Sequence, residues 1–138
     1  AAYQTPAPFD SDASGFFYVT PIDLRRSKDE QAAQLSVHNL AALPILAVHE
    51  GYPGHHVQTS FANRSATRLR RITHNDVFAE GWAFYCEELM HEQGYYTVDP
   101  LTRLFQLHDV LFRSCRVVLD AGLEVAEQHL LQGSVLKI

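Results

Sequence analysis

The sequence predicts a mainly α chain of the α+β kind, with about four helices and one strand near its N-terminus. Three observations predict it. Helix start and stop signals recur: Ser27 with Glu30 one turn on, Asn75-Asp76 answered by Gly94, and Asp99-Pro100. The apolar residues after Pro100, from Leu101 through Leu104, Phe105, Leu111 and Phe112 to Leu119, return at helical spacing. One segment, Gly15 to Pro21 (Gly-Phe-Phe-Tyr-Val-Thr-Pro), has the aromatic and β-branched character of a strand.

Residues 3–14 hold Pro6, Pro8 and a Ser/Asp cluster and read as loop. The strand follows from Gly15 and is ended by Pro21. A lone strand leaves its edge groups unpaired, so its partners must lie elsewhere. The chain therefore reads as a fragment, or as one that needs a partner. Ser27 and Glu30 form a capping box that opens a first helix running to Leu43. Pro44 either kinks that helix or starts a new one running into His49. A second helix spans His55 to about Leu69 on Val57, Phe61 and Leu69, with Arg64, Arg68, Arg70 and Arg71 as its solvated end. The third runs from Asn75 or Asp76 to about Gln93, where Gly94 stops it. The fourth starts with Pro100 in the favoured first position and continues to Leu123 or beyond.

Composition narrows the function classes. At 138 residues and 46% hydrophobic, the chain can bury one core, so residues 1–138 form a single domain or part of a larger catalytic domain. The net charge of −5 and one short arginine cluster argue against a nucleic-acid partner. The longest apolar stretch, Leu40 to Val48, contains Pro44 and is too short to span a bilayer. Cys86 and Cys115 lack the short spacing of a metal-binding pair and read as reduced core residues.

The chemistry is concentrated in His49-Glu50-Gly51-Tyr52-Pro53-Gly54-His55-His56 and in Glu80-Gly81-Trp82-Ala83. A His followed at once by Glu, with further imidazoles nearby and a carboxylate on a later helix, is the pattern of a metal site with its base. Residues four apart on a helix would suit one ion, but position 53 is Pro. On an unbroken helix His55 would be turned about 120° from His49, and His56 would lie roughly 10 Å along the axis. Neither fits, so Pro53-Gly54 must break the helix and return one imidazole to His49. The plain alternative is a helix ending at Tyr52, with the histidines in a polar turn.

Three ordered motifs carry a resemblance: His-Glu-x-x-Pro-Gly-His-His-x-Gln at 49–58, Glu-Gly-Trp-Ala-x-Tyr-x-Glu-x-Leu at 80–89, and Arg-x-Cys-Arg-x-Val-x-Asp-x-Gly-Leu at 113–123. Together with the 15–21 strand, they resemble the bacterial domain-of-unknown-function 885 family, grouped with zincin-like metallopeptidases. The resemblance implies a helical zincin-like core piece, taken from proteins several times longer, many of them exported or lipoproteins. It also orders the ligands. Gly54-His55 is similar to the Gly-His signature of carboxypeptidase Taq-like peptidases. That makes His49, His55 and Glu80 the expected ligands, with His56 the alternative second imidazole.

The expected activity is that of a zinc-dependent hydrolase, a peptidase acting on a peptide or small amide. One Zn²⁺ per chain would activate water, with Glu50 as general base. Two imidazoles and a carboxylate also suit Fe, Mn or Co. Tyr85 and Arg116, with Tyr18 and Arg113, are candidate donors to the developing oxyanion. The 15–20 strand is a candidate for strand addition by substrate. Glu87, two turns after Glu80, reads either as an acceptor orienting a ligand imidazole or as part of a solvated face. Glu124 stands where the family usually has His, which supports a rival reading, a binding homologue without turnover. A di-metal reading rests on Glu88-x-x-His91 alone, with no second copy.

Overall fold

A computed structural model describes residues 2–10, 14–37, 39–97 and 99–135. The chain separates into two compact units, Ala1–Arg103 and Leu104–Ile138. The elements are β1 (Ala2–Gln4), β2 (Phe16–Tyr18), α1 (Lys28–Val37), α2 (Leu43–Glu50), α3 (His55–Asn63), α4 (Arg68–Ile72), α5 (Asp76–Glu92) and α6 (Pro100–Val135). The mainly helical class stands, with more and shorter pieces than the sequence suggested.

The strand finds its partner inside the chain. β1 pairs antiparallel with β2 in the register Ala2↔Tyr18, Tyr3↔Phe17 and Gln4↔Phe16. This corrects the expectation of a lone strand. The expected 3–14 loop contributes Tyr3 and Gln4 to β1, and its residues 11–13 lie outside the described residues. Strand pairing is set by what lies opposite, which local composition does not reveal.

Side-chain caps open α1 and α5 of the first unit, whereas the N-caps of α2, α3 and α4 make no such bond. The Ser27 capping box forms as expected: the Ser27 amide donates to Glu30 Oε2 at 2.9 Å and the Glu30 amide to Ser27 Oγ at 3.3 Å. The helix it opens is shorter than expected, because Asn39 restarts the chain. Asn39 Oδ1 accepts from the amides of Ala41 at 3.0 Å and Ala42 at 2.9 Å. With Pro44 in its first turn, α2 is a separate helix.

The expected 55–69 helix also divides. Asn63 Nδ2 donates to the Pro6 and Ala7 carbonyls at 3.2 and 3.3 Å, and Thr67 adopts an extended conformation. These distant bonds outweigh local helix propensity. Leu69 falls on α4 and is exposed. Of the arginines beyond the break, Arg68 and Arg71 lie over the Phe9 ring, at 5.4 and 5.9 Å from its centroid.

α5 is bounded as the sequence indicated. Asn75 Oδ1 caps its start by accepting from the Phe78 amide at 2.9 Å. Gly94, at φ +79°, ends it with amide bonds from Gly94 to His91 and from Tyr95 to Met90. Asp99 Oδ1 caps α6 by accepting from the Leu101 amide at 2.9 Å.

The core of the first unit lies where α2 packs on α5. Ile45 and Val48 of α2 are buried, as are Ala79, Ala83 and Cys86 of α5. Alanines one turn apart allow the helices to approach closely. Cys86 is a free thiol of that core, as expected, whereas Cys115 is free but exposed in the second unit. No helix among the described residues is long and apolar enough to cross a membrane.

Candidate metal centre

The site begins where α2 ends. The Gly51 amide closes the last turn on the Ala47 carbonyl at 2.9 Å, and the chain then reverses through residues 51–54. The Tyr52–Pro53 peptide is cis. The Gly54 amide donates to the Val48 carbonyl at 3.0 Å, and the His56 amide to the Gly51 carbonyl at 3.2 Å. This closeness explains the glycine: a Cβ at position 54 would sit 1.9 Å from the His49 carbonyl oxygen and 2.4 Å from that of Val48. α5 holds the same turn from the other side. Trp82 Nε1–H donates to the Pro53 carbonyl at 3.0 Å, and the Cys86 thiol reaches the same oxygen at 3.5 Å.

The reversal brings His55, the first residue of α3, back to His49, the next-to-last residue of α2. Their rings meet edge to face with centroids 4.8 Å apart. Glu80 of α5 completes the group: His49 Nε2 lies 3.4 Å from Glu80 Oε2, and His55 Nε2 lies 3.4 Å from Glu80 Oε1. One donor atom from each of the three residues lies within 4.8 Å of the others. Zinc–ligand bonds of about 2.0–2.1 Å in a tetrahedron place neighbouring ligand atoms about 3.3 Å apart. The two His–Glu separations match that edge.

His49 is held for such a role. Its Nδ1 lies 2.7 Å from Glu87 Oε1, and Glu87 is fully buried. A carboxylate only accepts, so Nδ1 is the donor to Glu87, and Nε2 is the nitrogen that faces Glu80. In the tautomer with its proton on Nδ1, Nε2 has a lone pair to offer a cation lying between it and Glu80. Burial holds the pKa of His55 below its usual value. The neighbouring His49 adds to this, and Glu80 and Glu50 oppose it. The result favours a neutral imidazole, the form that binds metal. The donor set therefore fits a divalent ion of the zinc type.

The other expected residues are placed as follows. Glu50, half-buried beside His49, acts electrostatically on His55 and lies outside the three-residue group, as suits a base. His56 is half-buried on α3 and also outside that group. Tyr85 is not brought to the cluster: five residues after Glu80, it is turned about 140° around α5, and its ring packs on Trp82 at 6.0 Å. Tyr18 lies on β2 with its ring 6.3 Å from that of Phe16. Arg116, like Asp120 and Glu124, is an exposed residue of α6 in the second unit, and Arg113 is half-buried there. Glu88 is bonded to Arg103 through both carboxylate oxygens, at 2.6 and 3.1 Å. That ion pair takes the carboxylate the di-metal reading needed.

Sequence reasoning missed the two donors on Pro53 and the proximity of His74, whose charge acts on His55. It left Glu87 open between two roles. The seven-residue interval from Glu80, which puts both carboxylates on one helix face, was the signal that favoured the orienting one.

The family described as "Bacterial protein of unknown function (DUF885)" matches residues 1–131. No curated protein matches the chain. A similar solved structure is described as a "putative lipoprotein of unknown function" from Shewanella oneidensis. It is 34% identical with a TM-score of 0.60, over 72% of this chain and 18% of that one. The chain thus spans less than a fifth of the length of that relative.

Proposed function

We propose, on the premise that this chain belongs to the DUF885 family of bacterial proteins of unknown function, that it carries the metal centre of a zinc-dependent hydrolase acting on peptide or amide bonds. One observation carries the reading: two imidazoles and a carboxylate bring a donor atom each within 4.8 Å of the others, and a buried carboxylate holds the far nitrogen of one imidazole. A zincin-like ancestry is part of the same proposal and rests on the order of the motifs. Export of the protein is a further part, supported by the description of the similar solved structure.

His49, His55 and Glu80 would hold the ion, and Glu87 fixes the tautomer and direction of His49. Zinc in such a site supplies a Lewis acid and lowers the pKa of a water to about 7. Glu50, beside His49 in sequence, takes the proton from the attacking water and hands it to the leaving amine. Glu50 acts electrostatically on His55 and is not one of the three converging donors, which leaves its carboxylate free for that role.

Elemental mass spectrometry of the purified chain tests the centre. The expected result is one zinc per chain, lost to chelator and restored by added zinc. His55→Ala should lose that metal and His56→Ala should keep it; equal loss would remove the ligand assignment. Glu50→Gln should retain metal while turnover of peptide substrates falls to background. Retained turnover would sink the base assignment, whereas a parent chain that binds zinc and turns over no peptide would favour the rival reading of a homologue that binds without turnover.

A further inference from the structure

A cavity of about 410 Å³ opens between the C-terminal half of α3, α4 and the start of α5. Its polar wall includes Gln58, Arg70, His74 and Asn75, and its apolar wall Phe61 and Phe78. It shares Gln58, Phe61, Ala62 and Phe78 with an almost wholly apolar hollow of about 450 Å³ that reaches Val57 and Trp82. The two are parts of one cleft along the α3–α5 seam, cationic at one end and apolar at the other.

The charge at the cationic end is Arg70. It has no acidic partner among the described residues, unlike Arg25, which is paired with Asp23, and Arg103, which is paired with Glu88. His74 Nε2 is held by Asp76 Oδ1 at 2.9 Å, so that imidazole is already answered by a carboxylate. An arginine at the wall of a cavity whose other polar side chains are a carboxylate-bound imidazole, amides and hydroxyls is suited to a planar carboxylate, which it can bind with two hydrogen bonds. The amide side chains of Gln58 and Asn75 and the Thr73 and Ser65 hydroxyls add neutral polar groups. The apolar end offers aromatic walls to a hydrocarbon or aromatic side chain.

The cleft also lies close to the metal ligands. Gln58 is one turn from His55 on α3, and His74 of the cavity wall acts electrostatically on His55.

We propose that this cleft receives the C-terminal residue of a peptide substrate, its α-carboxylate at Arg70 and its apolar side chain towards Phe61, Phe78 and Trp82. The protein is then a carboxypeptidase-type hydrolase selecting apolar C-terminal residues. This rests on the hydrolase reading for its chemistry, but the recognition site stands on its own and is tested without turnover.

Trp82 is the single tryptophan of the chain, so its fluorescence reports on the cleft. The metal-free chain is titrated with N-acetyl-phenylalanine and with N-acetyl-phenylalaninamide, which excludes binding of the carboxylate by zinc. The acid should saturate the signal with affinity about tenfold higher than the amide, the scale of one charge-assisted hydrogen-bonded pair. Arg70→Gln should bring the acid to the level of the amide, Arg70→Lys should recover part of the preference, and Arg25→Gln should leave it unchanged. Equal affinity for acid and amide, an unsaturable signal, or a preference that survives Arg70→Gln would overturn the proposal. A chain that discriminates acid from amide but hydrolyses neither class of peptide would sink the hydrolase reading and leave the recognition site intact. A chain that hydrolyses peptides without discriminating would do the reverse.

Discussion

Glu87 touches no solvent, yet its carboxylate sets what His49 can offer. Replacing it with Ala leaves the Nδ1–H of a buried imidazole without its acceptor, a loss of about 1–3 kcal/mol. It also frees the ring to turn and to change tautomer. We expect zinc affinity to fall by about 10–100-fold in Glu87→Ala. Glu87→Gln keeps an oxygen that can accept, and should lose less. Competition against a chromogenic chelator measures both, with thermal unfolding as the control for stability. If Ala and Gln variants bind zinc as the parent does, the carboxylate orients nothing that matters to the ion. Glu80 offers the opposite case: it is largely exposed, and its value to the site lies in position alone.

At the scale of elements, the 51–54 turn is the piece on which the site depends. Gly54→Ala forces a methyl group into two backbone carbonyls, so α3 must move away from α2 and His55 with it. The expected cost is about 1–3 kcal/mol, as for other overpacked sites, accompanied by loss of stoichiometric zinc. Gly81 on α5 is the internal control. A Cβ there meets nothing within 4 Å, and Gly81→Ala should stabilise the chain by about 0.5–1 kcal/mol. Paired thermal melts and metal analyses of the two variants check this; a Gly54→Ala chain with full zinc would show that the close approach is not needed.

The same elements show which features were legible in the sequence. The capping box at Ser27, the Asn75 cap, the Gly94 stop and the Pro100 start are local, made by residues within a turn of one another, and each could be read directly. The His49, Glu50, His55 and Glu80 constellation was legible because its motifs are short. What could not be read depends on distant partners: the pairing of β1 with β2, the break after Asn63 fixed by the Pro6 and Ala7 carbonyls, and the burial of Glu87 against α2. The restart at Asn39 is local and was missed, since an Asn between two helical patterns gives a weaker signal than a proline.

For the molecule as a whole, the ion would join three helices of the first unit that are otherwise held by a small core of alanines, Ile45, Val48 and Cys86. A ligand that binds only the folded form stabilises it by about 2.7 kcal/mol at a hundred times its dissociation constant. For a unit of this size that corresponds to a rise in melting temperature on the order of 10 °C. Zinc should produce it in the parent chain and not in His49→Ala, as read by calorimetry with and without chelator. The second unit carries Leu104, Leu111, Phe112, Val118 and Leu119 exposed on α6. A melt that shows two transitions, with only one of them sensitive to zinc, would assign the stabilisation to the unit that holds the ligands.

Two donors from α5 meet on the single carbonyl of Pro53, in the middle of the turn that joins the two histidine helices. Glu80 belongs to that same α5. The segment bearing the imidazoles and the segment bearing the carboxylate are therefore latched to each other by contacts that involve none of the ligands. Emptying the site would leave this latch closed, so the three donor atoms would wait at their spacing instead of scattering. Capture of an ion then becomes a matter of shedding its water rather than of rearranging the polypeptide, and exchange of one divalent ion for another should proceed without unfolding.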